Sequence, residues 1–242
     1  MIIAIGDIHG KFREMKIKMR SILYDHFDEE DQIHFVQVGD FGLGFDNPRL
    51  DYYQLLDIEN DLVFKKANLW IIRGNHDNPY FWGDGAYKFS NIHFVKDDTR
   101  LRLDNKECYF AGGSVSIDRI DRTHGVSYWD GEIYQAPELI FNSNEVLPID
   151  ILFTHDVYQP VSTFNFLQSD LVKRWCEKDK NLYGDLVAQQ YELEKLYTAI
   201  KETNKNFKWY HGHYHESTKC YYDDSESFTS CLNELEFKEI LY

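Results

Sequence analysis

The sequence predicts an α/β fold containing two sheets, and three observations carry that prediction. Short apolar runs rich in β-formers alternate with helical stretches through the N-terminal part of the chain. From about residue 91 the rhythm changes to several short strands with turn residues between them. No Pro- or Ser-rich linker, low-complexity segment or internal repeat interrupts the pattern, so residues 1–242 read as one domain.

The elements follow in order. "MIIAI" (1–5) is a first strand, and "KFREMKIKMRSILYDHF" (11–27) a first helix, because Phe12, Met15, Met19, Ile22 and Leu23 recur at three- and four-residue intervals. "IHFVQV" (33–38), "DYYQLLDIENDLVFKK" (51–66) and "NLWII" (68–72) continue as strand, helix and strand, the signature of βαβ units. "NIHFV", "LRL" and "CYFAGGSVSI" then suggest a second, more antiparallel sheet. "IDILFTHD" is a further strand, and "GDLVAQQYELEKLYTAIKETN" (184–204) a helix burying Leu186, Tyr191, Leu193, Leu196 and Ile200. The end of the chain, "FKWYHGHYHESTKCYYDD", "SFTSCLN" and "EFKEILY", returns to strands. Residues 159–184 lie between two ligand-bearing strands, where by position they could cover a site as a lid.

Composition bounds the function. The 242 residues are 43% hydrophobic and 16% aromatic, enough for one substantial core. With 26 Lys+Arg against 41 Asp+Glu the formal charge is -15, which repels polyanions at long range and disfavours nucleic acid as a partner. The basic clusters "KFREMKIKMR" and "LVKRW" are short and helical, closer to solvated faces than to a polynucleotide groove. No export signal, membrane span or lipidation motif is visible. The four cysteines form no CxxC pair, so the expectation is reduced thiols in the cytoplasm.

Chemistry concentrates at strand ends. "MIIAI" runs into "GDIHG", "IHFVQV" into "GDFG", "LWIIR" into "GNHD", "DILF" into "THD" and "FKWY" into "HGHYH". Ligands of open α/β sheets bind outside the carboxyl ends of the strands. Five clusters therefore converge, bringing Asp7, His9, Asp40, Asn75, His76, Asp77, His155, Asp156, His211, His213 and His215 together. Carboxylates, imidazoles and an amide carbonyl without thiolate suit Mn²⁺, Fe or Zn²⁺, and the donors outnumber what one ion uses. A carboxylate bridging two ions is the arrangement that activates water and clamps a phosphoryl oxygen. His26, His34 and His93 lack this context and read as structural, His124 stays ambiguous, and Asp46, Asp51 and Asp57 read as loop or helix-surface carboxylates.

At these residues the chain resembles the calcineurin-like metallophosphoesterases, whose D-x-H, G-D, G-N-H-[DE], later His and G-H-x-H motifs appear in order as "GDIHG", "VGD", "RGNHD", "THD" and "GHYH". The resemblance implies a two-sheet β-sandwich flanked by helices. It also implies two divalent metal ions, manganese first with iron or zinc as alternatives. Asp7, His9 and His215 would hold one ion, Asp40 would bridge, and Asn75, His155 and His213 would hold the other. His76 would protonate the leaving alkoxide or stabilise the phosphoryl oxygens, while Asp77 would either orient that imidazole or cap its loop. Hydrolysis would proceed by in-line attack of a metal-bridging hydroxide, with no covalent enzyme intermediate.

One departure from the family is informative. Protein Ser/Thr phosphatases of this superfamily continue the second motif as G-D-x-V-D-R-G, whereas this chain has "GDFGLGFD" and no arginine there. Arg119 and Arg122, in a stretch (112–129) similar to one in bacterial and phage-encoded phosphoesterases, are candidates to grip phosphate in its place. They could equally pair with Asp118, Asp121 or Asp130. Arg73 has the same two options, substrate phosphate or a structural ion pair. The expected substrate is a phosphomonoester, either a phosphorylated small molecule or a phosphoprotein. A phosphodiesterase or nuclease with the same metals is the first alternative, and a non-catalytic binding module on the same fold the second.

Overall fold

The computed structural model describes residues 1–26, 32–44, 47–138, 148–222 and 226–241, so Asp46 and the last residue of the first expected helix lie outside the described residues. Strand β1 (Ile2–Ile5) is buried along its whole length. Successive side chains point to opposite faces of a strand, and here both faces are covered: Ile3 and Ile5 pack under helices, Ile2 and Ala4 against a second sheet. The same alternation places Val36 of β2 (His34–Gln37) between the sheets and Phe35 under the helices. With β3 (Asn68–Ile71) and β4 (Ile92–Phe94) these strands run parallel, and the final strand β11 (Phe237–Glu239) adds antiparallel to β1.

Helix α1 (Phe12–Asp25) buries Phe12, Met15, Met19 and Leu23, the stripe its spacing predicts. Helix α2 (Pro48–Lys65) starts three residues earlier than expected. The Asn47 side chain accepts the Leu50 N–H at 3.2 Å and Pro48 fills the first helical position, where its missing N–H costs nothing.

The second sheet contains β5 (Thr99–Leu103), β6 (Lys106–Ala111), β7 (Ile151–Thr154), β8 (Lys208–His211), β9 (Thr218–Tyr221) and β10 (Phe228–Cys231), in the order β5-β6-β7-β8-β10-β9. It is less antiparallel than its short strands suggest. β6, β7, β8 and β10 are parallel, and only the outer pairs β5/β6 and β10/β9 are antiparallel. Parallel neighbours need long crossovers. Helices α3 (Asp170–Lys178) and α4 (Leu182–Thr203) supply the one from β7 to β8. The expected strand "CYFAGGSVSI" stops at Ala111, where Gly113 turns with φ +90° and donates its N–H to the Arg73 carbonyl at 2.7 Å. The following residues leave the sheet and run to the site.

The result is two facing sheets with α1 and α2 outside the first and α4 outside the second. Phe110, Ile151, Phe153 and Tyr210 meet Ile2, Val36 and Ile72 between the sheets, and Leu193, Leu196 and Ile200 cover Leu152 and Trp209 outside. This is the helix-flanked α/β sandwich that the motifs implied. Because β1, β2, β3, β7 and β8 share their parallel sense within each sheet, their carboxyl ends meet at one edge of the sandwich.

Candidate metal centre

Six of the seven expected metal ligands fall into two groups that share one carboxylate. Asp7, His9, Asp40 and His215 form the first and Asp40, His155 and His213 the second, each with its donor atoms within 4.8 Å of one another. Asn75, the seventh, places Oδ1 3.0 Å from His155 Nε2. Asp40 therefore stands where a bridging ligand must stand.

The local backbone is bent to achieve this. His9, Asp40, His213 and His215 adopt positive φ values of 45°, 52°, 69° and 51°. Non-glycine residues rarely do so, and such strain clusters where a function demands a particular side-chain direction. Glycines supply close approach: a Cβ on Gly74 would strike the Asp40 carboxylate, and one on Gly212 would strike that of Asp7.

The imidazoles are oriented as ligands. His155 is fully buried and its Nδ1 donates to the Val38 carbonyl at 2.9 Å, which aims Nε2 at Asn75 Oδ1 and at Asp40 Oδ1, 3.3 Å away. Nε2 of His9 and of His215 stand 3.0 Å apart, and His215 Nε2 is 3.1 Å from Asp7 Oδ2. Two ring nitrogens facing each other across two nearly inaccessible carboxylates make a donor set whose charge a divalent cation balances. Without one, protons take its place. Burial opposes a charge on His155, but Asp40 outweighs it and pushes that ring up to about 10. Asp40 is correspondingly held well below the usual carboxylate range, His155 prevailing over burial. Burial keeps His213 below the ordinary histidine value and so neutral, with a lone pair to offer. The residues present fit a pair of divalent ions.

A second layer of contacts holds these ligands, and sequence reading missed most of it. The Asn75 amide donates Nδ2–H to Ser116 Oγ at 3.0 Å, which leaves its carbonyl facing the centre. Ser114 Oγ donates to Asp156 at 2.9 Å and lies 3.3 Å from His213 Nε2, while the Tyr214 hydroxyl also donates to Asp156, at 2.7 Å. Asp156 thus serves the ligand loops. The only signal in the chain was two serines at alternate positions in "GGSVSID", too weak to read alone. His211 is buried outside both ligand groups, its Nδ1 3.1 Å from the Gly212 carbonyl.

His76 projects beside the centre, its ring 5.2 Å from that of His9 and its Nε2 2.8 Å from Arg122 Nη2. Burial, opposed by Asp40 and reinforced by Arg122, lowers it to about 4. Asp77 takes the capping alternative. Its carboxylate accepts backbone N–H groups from Phe41 (3.0 Å), Gly42 (2.6 Å), Leu43 (3.2 Å) and Gly74 (2.7 Å), and so ties the two ligand loops together. Arg122, not Asp77, is the side chain found on the His76 ring nitrogen.

Two of the three candidate phosphate-binding arginines are committed elsewhere. Arg73 is buried, with Nε and Nη2 on Asp97 Oδ2 at 3.0 and 2.6 Å and Nη1 on the Glu132 carbonyl at 2.7 Å. It braces the loop after β6, because Asp97 also accepts the Gly112 N–H at 2.7 Å. Arg119 bridges to Asp179 at 2.7 Å and Asp185 at 2.5 Å, partners at the C-terminal end of α3 and in α4 that no local pattern announced. Both corrections have one cause: distant chain segments supply the carboxylates. Arg122 alone reaches the site, between His76 and Asp118, 2.6 Å away.

The remaining residues take structural places, and Tyr191, expected on the buried face of α4, is 60% exposed. His34 accepts from Trp70 Nε1 at 3.3 Å, and His93 stacks on Trp70 at 4.1 Å, so both serve the first sheet. His124 is exposed beside Asp130, and Asp57 is an exposed partner of Lys16. Asp51 is buried rather than superficial, accepting the Gly44 N–H at 3.0 Å. Residues 159–184 form a wall beside the centre: Phe164, Phe166, Leu171 and Trp175 line a cleft of about 470 Å³ together with Asp40, His76 and Arg122. No helix among the described residues is long and apolar enough to cross a membrane.

Comparison with curated proteins finds no match. The family model for calcineurin-like phosphoesterases matches residues 1–217, which contain every ligand of both groups. With the sandwich and the shared carboxylate in the same chain, the protein belongs to the calcineurin-like phosphoesterases, a family of metal-dependent phosphoester hydrolases.

Proposed function

We propose that the protein hydrolyses phosphomonoesters. The observation that carries this reading is Arg122, whose guanidinium stands at His76 on the cleft side of the ligand cluster, and which is the one arginine or lysine among the described residues lining that cleft. One guanidinium beside the centre suits one terminal phosphoryl group. An extended polynucleotide would need a basic groove instead.

Asp7, His9 and His215 would hold one divalent ion and Asn75, His155 and His213 the other, with Asp40 between them. Such a pair, when bound, supplies Lewis acidity and an activated water. The chain's own groups do the rest. Arg122 pairs with phosphoryl oxygens and orients the ester. His76, once protonated on the Nε2 that Arg122 now faces, donates that proton to the departing alcohol oxygen. In the empty cleft that ring is neutral, held near 4 by burial and the facing guanidinium. A phosphate dianion drawing Arg122 onto itself adds an opposite charge beside the imidazole and favours its protonation.

Manganese is the ion we expect first, because the donors are carboxylates, imidazoles and an amide with no thiolate. The cytoplasm is the expected compartment, resting on four cysteines that are all free. We read the whole chain as one domain, since β10 and β11 complete the two sheets from beyond the family match.

A second groove, of about 350 Å³, lies on the other side of His76 and is lined by His9, Gly42, Asn47 and Gln54. It favours the alternative reading, phosphodiester hydrolysis, by offering room for a second ester group. Hydrolysis of p-nitrophenyl phosphate and bis-p-nitrophenyl phosphate in parallel separates the two, after chelation and re-addition of Mn²⁺ and with Asp40→Asn as control. Monoester turnover that the control loses supports the proposal, and preference for the diester overturns it.

A further inference from the structure

The cleft beside the centre has two chemically different walls. One is the ligand cluster with His76 and Arg122. The other is apolar, built from Ile117 in the loop after β6 and from Phe166, Leu171 and Trp175 before and within α3. Phe166 meets the His213 ring edge-on at 6.3 Å and Tyr214 at 5.4 Å, so the apolar wall reaches a candidate ligand directly.

This wall is firmly built. Val115 and Val172 are buried with Leu182 and Leu186 in a small core on which Ile117, Phe166 and Trp175 rest. Behind it, the buried Gln159 donates its backbone N–H to Gln190 Oε1 at 2.8 Å and accepts the Leu167 N–H on its own Oε1 at 3.3 Å. Ser169 Oγ caps α3 through the Val172 N–H at 3.2 Å. Apolar surface left open on an anchored wall next to a reaction centre is what a ligand pocket presents, apolar lining with a few placed polar groups.

Charge narrows the ligand. Asp118 and Glu216 also line the cleft, and Asp118 already pairs with Arg122. A leaving group carrying a second phosphate or a carboxylate would face these two acids with no free cation among the described lining residues. An uncharged ring would lie against the apolar wall and meet no such penalty.

Resting on the phosphomonoester reading, we infer that Ile117, Phe166, Leu171 and Trp175 form a subsite for the leaving group that selects monoesters of an uncharged aromatic alcohol. In the reaction a water oxygen bonds to phosphorus as the ester P–O bond breaks. The bonding pair leaves on the alcohol oxygen, which takes a proton, and the products are the aromatic alcohol and inorganic phosphate.

Calorimetric titration of the Mn²⁺-loaded full chain with benzylphosphonate and with methylphosphonate tests this, because neither can be hydrolysed. Benzylphosphonate is expected to bind roughly tenfold tighter or more, the scale of burying one ring against an apolar wall. Trp175→Ala and Leu171→Ala should each shrink that ratio, leaving methylphosphonate affinity and manganese content unchanged. Leu171 is 42% exposed, so its variant keeps the fold if Trp175→Ala does not. The 4-carboxy derivative of benzylphosphonate should lose the advantage to Asp118 and Glu216. Equal affinity for the two uncharged-tail phosphonates, or a ratio unmoved by both variants, overturns the subsite. Turnover of benzyl phosphate against ethyl phosphate, whose alcohols are similarly acidic, is measured alongside. Tight benzylphosphonate binding without hydrolysis of either ester would keep the subsite and overturn the monoesterase reading instead.

Discussion

Ser116 shows how the smallest side chains set the chemistry. Its hydroxyl takes the Asn75 Nδ2–H at 3.0 Å and a hydrogen bond from Arg122 Nη1 at 3.1 Å, so one oxygen positions both the candidate ligand Asn75 and the guanidinium proposed to meet phosphate. Replacing it with alanine leaves the Asn75 amide free to rotate. Metal affinity should fall about 10–100-fold, the usual effect of losing the partner that orients a ligand. Equilibrium dialysis against Mn²⁺ reads this directly, and unchanged affinity would show that Asn75 is held by other means. His76→Asn should behave in the opposite way, lowering kcat by ~10²–10⁴ with metal content intact. Turnover equal to the native protein would remove His76 from the proton-transfer step. Residues of the ligand set were legible in the chain because each follows a strand and carries its chemistry in its own identity. Ser116, Asp77 and Arg119 were not, because their roles depend on partners 36 to 66 positions away: Phe41 for Asp77, Asn75 for Ser116, Asp179 and Asp185 for Arg119.

At the scale of elements, the loop after β6 is the piece that sequence pattern described least well. Apolar residues in "CYFAGGSVSI" suggested one long strand, yet the segment beyond Ala111 crosses from the sheet to the site. What holds it there is polar and comes from several elements: Arg73 with Asp97, Arg119 with Asp179 and Asp185, and Glu132, whose Oε1 accepts the Ser116 N–H at 3.1 Å. Arg119→Ala should cost about 1–3 kcal/mol in urea unfolding, the range for losing charge-assisted hydrogen bonds. Glu132 adds a pH dependence. It is 1% exposed, and burial, opposed by the Ser116 hydrogen bonds, pushes its carboxyl up to about 7. The folded value lies above the unfolded one of about 4.3. The native state therefore binds this proton more tightly, and the stability it confers is full at acid pH and lost as pH rises through about 7. Glu132→Gln, which keeps the acceptor for Ser116 and removes the charge, should gain thermal stability relative to the native protein on going from pH 5 to pH 8. A constant difference between the two melting temperatures across that interval would mean that Glu132 does not titrate there.

For the whole molecule, the consequential fact is that each sheet supplies only part of the ligand set. Asp7, His9, Asp40 and Asn75 follow β1, β2 and β3, while His155, His213 and His215 follow β7 and β8. Ions shared between these loops would join the two sheets across their open edge. The protein has a formal charge of -15 and buries Asp7 and Asp40 almost completely, so without an ion the two carboxylates stay close together, facing the His155 ring that Asp40 holds protonated and the backbone N–H groups of His76 and His213. Any species that binds the native state and not the unfolded chain stabilises it, by about 2.7 kcal/mol at a hundredfold excess over Kd. For a chain of this size each kcal/mol moves the melting temperature by about 2–4 °C. Chelation should therefore lower the melting temperature by roughly 5–10 °C, and Mn²⁺ should restore it. Asp40→Asn removes the one ligand common to both groups, so its melting temperature should respond to neither treatment, whereas Ser116→Ala should still respond, at higher manganese concentration. Equal sensitivity of the native protein and Asp40→Asn would mean that the ions bind without the shared carboxylate and that the two sheets are held together by packing alone.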